Sequence, residues 1–131
     1  MPDGGYSNDP TMAVGATAPT AAALTVLYYL QQPMPQAAVD WLNTRVHPLG
    51  GFVATGLPAE LQTPDLLSSA TALHALSLVG AGADDMREKH LDYLDTLWTA
   101  QGGFRGHWSD ETVDCEYTYY GLLSLGHLAE G

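Results

Sequence analysis

The side chains best suited to chemistry gather in one stretch, Trp108 to Tyr120. Asp114 and Glu116 place two carboxyl groups two residues apart among Trp108, Tyr117, Tyr119 and Tyr120. Burial among rings disfavours the charged form and raises a carboxyl pKa, as a general acid working at neutral pH requires. The same two acids have a structural reading: Asp114 caps a helix and Glu116 sits in its first turn, where carboxylates meet orphan N–H groups and a favourable dipole. The rings of Trp108, Tyr117, Tyr119 and Tyr120, with Tyr28 and Tyr29 from nearer the start of the chain, offer π faces to a developing cation. Aromatics at helical spacing serve equally well as core packing. Cys115, between the two acids, reads as a buried structural thiol. His90 and His107 have no histidine three or four residues away to form a metal pair, and read as surface or loop histidines.

Composition limits what such a cluster can act on. The formal net charge is −11, from 15 acids against four bases, Arg45, Arg87, Lys89 and Arg105. Nucleic-acid surfaces need the opposite balance, and anionic membranes are disfavoured for the same reason. A diphosphate also needs cations, which are scarce here. The chain of 131 residues is 46% hydrophobic and 15% charged, enough apolar material for one domain with a real core and unlike a disordered chain. The apolar run Ala21–Leu30 is too short to span a bilayer and ends in Gln31, Gln32 and Pro33, so no transmembrane segment is expected. No basic segment precedes an apolar one near Met1, so no secretory signal is expected. A single cysteine excludes an internal disulfide framework and fits a reducing, cytoplasmic setting.

The elements that position the cluster come from a repeat. Gly4-Gly5-Tyr6, Gly50-Gly51-Phe52 and Gly102-Gly103-Phe104 recur at roughly 46 and then roughly 52 residues, a spacing of helical repeats. The following residues keep register. Asp65 falls on Asp114, Ser69 on Thr118, Leu73 on Leu122 and Leu76 on Leu125, and the first copy continues with Thr20, Ala23, Leu24 and Leu27. The expected organisation is a single domain of about three repeats, about 1–48, 49–100 and 101–131. Helices are expected near 18–30, 35–46, 64–79, 85–99 and 114–128. Thr63 reads as a cap, Pro64 as the opening residue and Asp65 as a first-turn acid of the third, which Gly80-Ala81-Gly82 ends. Asp84 or Asp85 starts the fourth. The helices near 18–30, 64–79 and 114–128 are apolar or small nearly all round and read as buried on most sides. Those near 35–46 and 85–99 carry a polar face and read as an outer layer. The Gly-Gly-aromatic phrase marks each outer-to-inner turn.

Gln101-Gly102-Gly103-Phe104-Arg105-Gly106, preceded by Tyr93-Leu94 and followed by Asp114-Cys115-Glu116-Tyr117-Thr118-Tyr119-Tyr120-Gly121-Leu122-Leu123-Ser124-Leu125-Gly126, resembles the prenyltransferase and squalene oxidase repeat. That family includes the protein prenyltransferase β subunits and the squalene–hopene-type terpene cyclases. The resemblance implies an all-α fold of α/α hairpin repeats with inner and outer helix layers. Family members close about six hairpins around an aromatic-lined isoprenoid cavity, whereas this chain carries about two and a half. It therefore resembles a partial toroid, completed by a partner subunit or a second copy, or an open arc exposing apolar inner-helix surface.

Active positions in the family lie at the starts of inner helices, here Trp108 through Tyr120. The resemblance implies catalytic Asp114 and Glu116, overlaying the Asp-x-Asp-Asp-Thr acid of the cyclases with Asp114-Cys115-Glu116-Tyr117-Thr118. Tyr117 replaces that motif's last Asp. Trp108, Tyr117, Tyr119, Tyr120 and Tyr28 become substrate-binding. The zinc site of the protein prenyltransferases is not matched. Glu116 stands in the place of its Cys, Tyr117 in that of its His, and Cys115 is turned away by about 100° on a helix. No cofactor and no metal ligands are therefore assigned, with zinc or magnesium left open as the alternative although the family's zinc ligands are not matched. Two functions follow. One is an isoprenoid-handling transferase or cyclase, acting on a prenyl chain or other apolar small molecule within a larger toroid or homo-oligomer. The alternative is a non-catalytic binding or assembly module on the same scaffold.

Overall fold

A computed structural model describes residues 4–7, 15–80, 86–99, 103–108 and 115–130, with side chains at 115, 116, 129 and 130 excepted. Five α-helices occur among them: α1 (Thr17–Tyr29), α2 (Gln36–Asn43), α3 (Leu66–Val79), α4 (Arg87–Leu97) and α5 (Cys115–Glu130). One 3-10 turn, Ala59–Leu61, interrupts the link from α2 to α3. The central helix α3 packs against both α1 and α5, while α2 lies on α1 and α4 on α5. This gives the expected all-α arrangement of an inner row, α1–α3–α5, backed by outer helices.

Two core clusters lie between the layers. In the first, Ala38, Val39, Trp41 and Leu42 of α2 meet Ala21 and Leu24 of α1 and Ala72, Ala75 and Leu76 of α3. In the second, Tyr93, Leu94 and Leu97 of α4 meet Leu66 of α3, Phe104 and Leu128. Each fully buried leucine contributes roughly 1.5–3 kcal/mol through loss of apolar contact with water.

The turns between layers are built by a hydroxyl that recurs in register. The N–H of Tyr6 donates to Thr20 Oγ1 at 2.8 Å, that of Phe52 to Ser69 Oγ at 2.9 Å, and that of Phe104 to Thr118 Oγ1 at 3.4 Å. The first two hydroxyls donate onward within their helices, Thr20 to Ala16 O and Ser69 to Asp65 O, each at 2.7 Å. One small polar side chain thus ties the aromatic residue of each Gly-Gly-aromatic turn to the inner helix that follows. Backbone bonds bring the helix starts to one end. Thr17 N donates to Ala54 O, Asp65 N to Phe52 O and Leu66 N to Gly106 O.

Three expectations need correction. Thr63 does not cap α3. Asp65 does, because its pairing with Phe52 holds it extended (φ −131°, ψ 158°) and aims its carboxylate at Ser68 N. His90 is neither a surface nor a loop residue: it is buried in α4, stacks on Phe52 with ring centroids 5.3 Å apart, and accepts from Gly51 N through Nδ1 at 2.9 Å. The inner helices are not buried on most sides, for Val26, Tyr29, Leu67, Tyr119 and Leu122 are exposed. Gly80 ends α3 in the left-handed region (φ 69°), as expected. Asp84 and Asp85 lie outside the described residues.

Candidate apolar binding groove

The open side of the inner row carries a groove of about 340 Å³. Ala21, Ala22, Thr25 and Val26 of α1, Thr71 and His74 of α3, and Tyr119, Tyr120 and Leu123 of α5 line it. The alanines matter because short side chains leave room between helices. The two threonines do not make the surface demanding: Thr25 Oγ1 donates to Ala21 O and Thr71 Oγ1 to Leu67 O, both at 2.8 Å. Their donors are satisfied within their own helices. Tyr119 and Tyr120 meet edge to face, with centroids 5.6 Å apart.

The aromatic residues singled out from sequence divide among three places. Tyr119 and Tyr120 line the groove. Trp108 lies at the end where the inner helices begin, its Nε1 donating to Thr96 Oγ1 at 2.6 Å and its ring edge-on to Tyr93 and His47 at 5.7 and 6.1 Å. Tyr117 packs against that same end, so close that a Cβ on Gly106 would come within 2.5 Å of its ring. Tyr28 pairs edge-on with Tyr29 in a separate depression of about 500 Å³ with Gln31, Gln32 and Met34. Asp114 lies outside the described residues. Glu116 falls in the first turn of α5, with its side chain outside them.

Electrostatics at the helix-start end centre on a residue that sequence reading treated only as part of a cap. Asp65 accepts from both the N–H and the hydroxyl of Ser68 at 2.8 Å. Burial nevertheless pushes its carboxyl above the ordinary carboxylate range, against those hydrogen bonds and the nearby His107. Tyr93 is buried alongside, and its hydroxyl makes no hydrogen bond of full geometry among the described residues, the Ser69 hydroxyl being its polar neighbour. Burial, then the neighbouring Asp65 charge, push its phenol pKa far up, so it stays neutral. Desolvation lowers the pKa of His47, whose Nδ1 accepts from Leu49 N at 3.1 Å.

The four bases are all occupied with main-chain carbonyls. Arg45 binds Thr55 O and Leu57 O, Arg87 binds Leu128 O, Lys89 binds Pro48 O and Arg105 binds Thr96 O. None of them lines the groove. Among the described residues no three His, Cys, Asp or Glu side chains cluster around a common point. Of the three positions that correspond to the protein prenyltransferase zinc ligands, Tyr117 packs on Gly106, while Asp114 and the Glu116 side chain lie outside the described residues.

One feature escaped the sequence altogether. His74 Nδ1 and His127 Nε2 stand 3.0 Å apart, joining α3 to α5 beside the groove. They are 53 residues apart. In the repeat register they fall opposite leucines rather than each other, so no local pattern announces them.

A row of inner helices tied by Gly-Gly-aromatic turns, backed by outer helices and grooved on its open side, defines an α/α toroid-type domain. The chain belongs to the prenyltransferase alpha-alpha toroid domain family, whose model matches residues 18–130. Comparison with curated proteins gives no match. No described helix is long and apolar enough to cross a membrane.

Proposed function

We propose that this domain holds an isoprenoid or similar apolar chain in the groove across α1, α3 and α5, as one arc of a larger toroid or oligomer. The observation that carries the reading is the lining. It consists of small and apolar side chains, internally satisfied threonines, an aromatic pair and His74, without a lysine or arginine. Its volume of about 340 Å³ lies at the lower end of the roughly 300–1,000 Å³ typical of small-ligand pockets. Tyr119 and Tyr120 offer π faces to positive charge developing on a bound polyene. Any prenyl transfer or cyclisation would draw on Asp114 and Glu116 as the acid pair. The commitment of all four bases to backbone carbonyls favours an uncharged chain, or a partner that supplies the cations for a diphosphate.

A second reading has its own support. Val26 and Tyr29 on α1 and Leu122 on α5 are 55%, 66% and 59% exposed. An apolar face of that kind also suits a module that docks a further subunit.

Titration with uncharged polyprenols of increasing length and with their diphosphates, followed by calorimetry, separates the readings. Saturable binding of the uncharged chains is expected, with no added affinity from a diphosphate. Ala22→Trp should abolish it, since Ala22 is exposed in the groove wall and its replacement fills the space without disturbing the core. No binding by any chain would remove the isoprenoid reading and leave assembly, to be followed by sedimentation.

A further inference from the structure

We propose that His74 and His127 form a two-nitrogen site for a late first-row transition-metal ion, of the Zn²⁺ or Cu²⁺ class, on the wall of the groove. This does not depend on what the groove binds. The facing nitrogens stand 3.0 Å apart, with ring centroids 5.1 Å apart and planes tilted by 50°. An ion bound at about 2.0–2.1 Å from two imidazole nitrogens holds them about 2.9 Å apart at a right angle and about 3.3 Å apart at the tetrahedral angle. The observed separation falls between these limits, so the two nitrogens need not move apart; each ring has only to swing until its lone pair points at the shared ion.

The pair is pre-positioned by packing. Ala75 and Leu76 beside His74, and Leu128 beside His127, are buried core residues that fix both backbones. In the metal-free pair one ring donates a proton to the other. Metal entry requires that this proton pass to the far nitrogen of its own ring. Both facing nitrogens then present lone pairs, and both histidines stay neutral. Imidazole suits Zn²⁺, Cu²⁺ and Ni²⁺, and with two protein ligands the remaining positions stay open to water or to a donor atom of a groove ligand. The formal charge of −11 enriches cations around the molecule. Arg87, bound to Leu128 O at 2.7 Å, is the base that opposes this near α5.

This site differs in place and in ligands from the zinc site of the protein prenyltransferases, which the sequence does not match. That one would stand where the inner helices begin, whereas His74 and His127 lie in the later halves of α3 and α5.

The test is titration of the metal-free protein with Zn²⁺ by calorimetry and with Co²⁺ by visible absorption. The wild-type chain should bind one ion. His74→Gln and His127→Gln should each weaken binding by about tenfold or more, because each leaves a single nitrogen. His47, His90 and His107 remain in both variants and would retain the ion if it bound elsewhere. Unchanged affinity in the variants, or no saturable binding by the wild type, overturns the site. Circular dichroism checks that each variant is folded. Should His127→Gln unfold, His74→Gln, altered at the groove wall, gives the answer by itself.

Discussion

Replacing Ser69 with alanine tests the logic of the whole repeat. The Phe52 N–H is buried and its acceptor is Ser69 Oγ at 2.9 Å, in a residue only 1% exposed. Deleting the hydroxyl leaves that N–H without a partner where water does not reach, at a cost of about 1–3 kcal/mol. Alanine returns up to roughly 0.5 kcal/mol through its higher helix propensity. Asp65 O keeps a donor, because Ser69 N already binds it at 3.0 Å. The net loss is therefore about 0.5–2.5 kcal/mol. For a domain of this size that lowers Tm by roughly 2–9 °C, taking about 2.1 cal/mol/K of unfolding entropy per residue. Thermal unfolding followed by circular dichroism reads it, with urea unfolding as a check on two-state behaviour. Ser69→Thr should restore most of the loss, since threonine performs the same task at positions 20 and 118. Ser77→Ala is the control: its hydroxyl also bonds within α3, to His74 O at 2.7 Å, but at an exposed position. The reasoning fails if Ser69→Ala melts with the wild type, or if Ser69→Thr is no better than Ser69→Ala.

Further outcomes follow from the buried polar groups and the turns. Because the folded pKa of Asp65 lies above its ordinary 3.8, the folded state binds the extra proton and Asp65 weakens the fold as pH rises through that window. Asp65→Asn keeps a cap and should be at least as stable as wild type at pH 7, the difference fading below about pH 4 in a series of pH-dependent melts. Asp65→Ala should instead lose about 1 kcal/mol of capping. Tyr93 has the same sign at the alkaline end: wild-type stability should fall as pH climbs past the ordinary phenol value of 10.0, and less so in Tyr93→Phe. At neutral pH Tyr93→Phe should cost under about 1 kcal/mol in urea unfolding, because the hydroxyl it removes has only Ser69 as a polar neighbour and makes no hydrogen bond of full geometry. Gly50→Ala should be severely destabilising or unfolded by circular dichroism, since its φ is 102° and a Cβ would come within 2.1 Å of Lys89 O.

The layers were legible because they are written in composition and recur. Polar faces on the residues of α2 and α4, small apolar runs on α1, α3 and α5, and three Gly-Gly-aromatic phrases gave the inner and outer rows directly. Even the register of Thr20, Ser69 and Thr118 was visible, though not the hydrogen bond it serves. The cap of α3 was misread because Thr63 and Asp65 both suit a cap, and only the long-range pairing with Phe52 decides between them. His90 looked like a surface histidine because its role depends on Phe52 and Gly51, which belong to the preceding turn. The aromatic cluster was legible as residue types but not as a place. Trp108, in the turn before α5, and Tyr117 lie at the helix-start end, while Tyr119 and Tyr120 lie on the groove; within α5 the difference is set by helix rotation. His74 and His127 meet only through the packing of α3 on α5.

The Gly50-Gly51 turn has a consequence for how the molecule comes apart. It follows α2, yet it is pressed beneath α4: Gly50 lies against Lys89 O, Gly51 against the Tyr93 ring, and Gly51 N is held by His90. One hairpin therefore cannot open without lifting the next, and nearest-neighbour coupling of this kind makes unfolding cooperative across a row of units. The Gly51 amide should then be a sentinel in hydrogen exchange, protected until α4 leaves as a body and exchanging together with the amides of that helix rather than with those of α2.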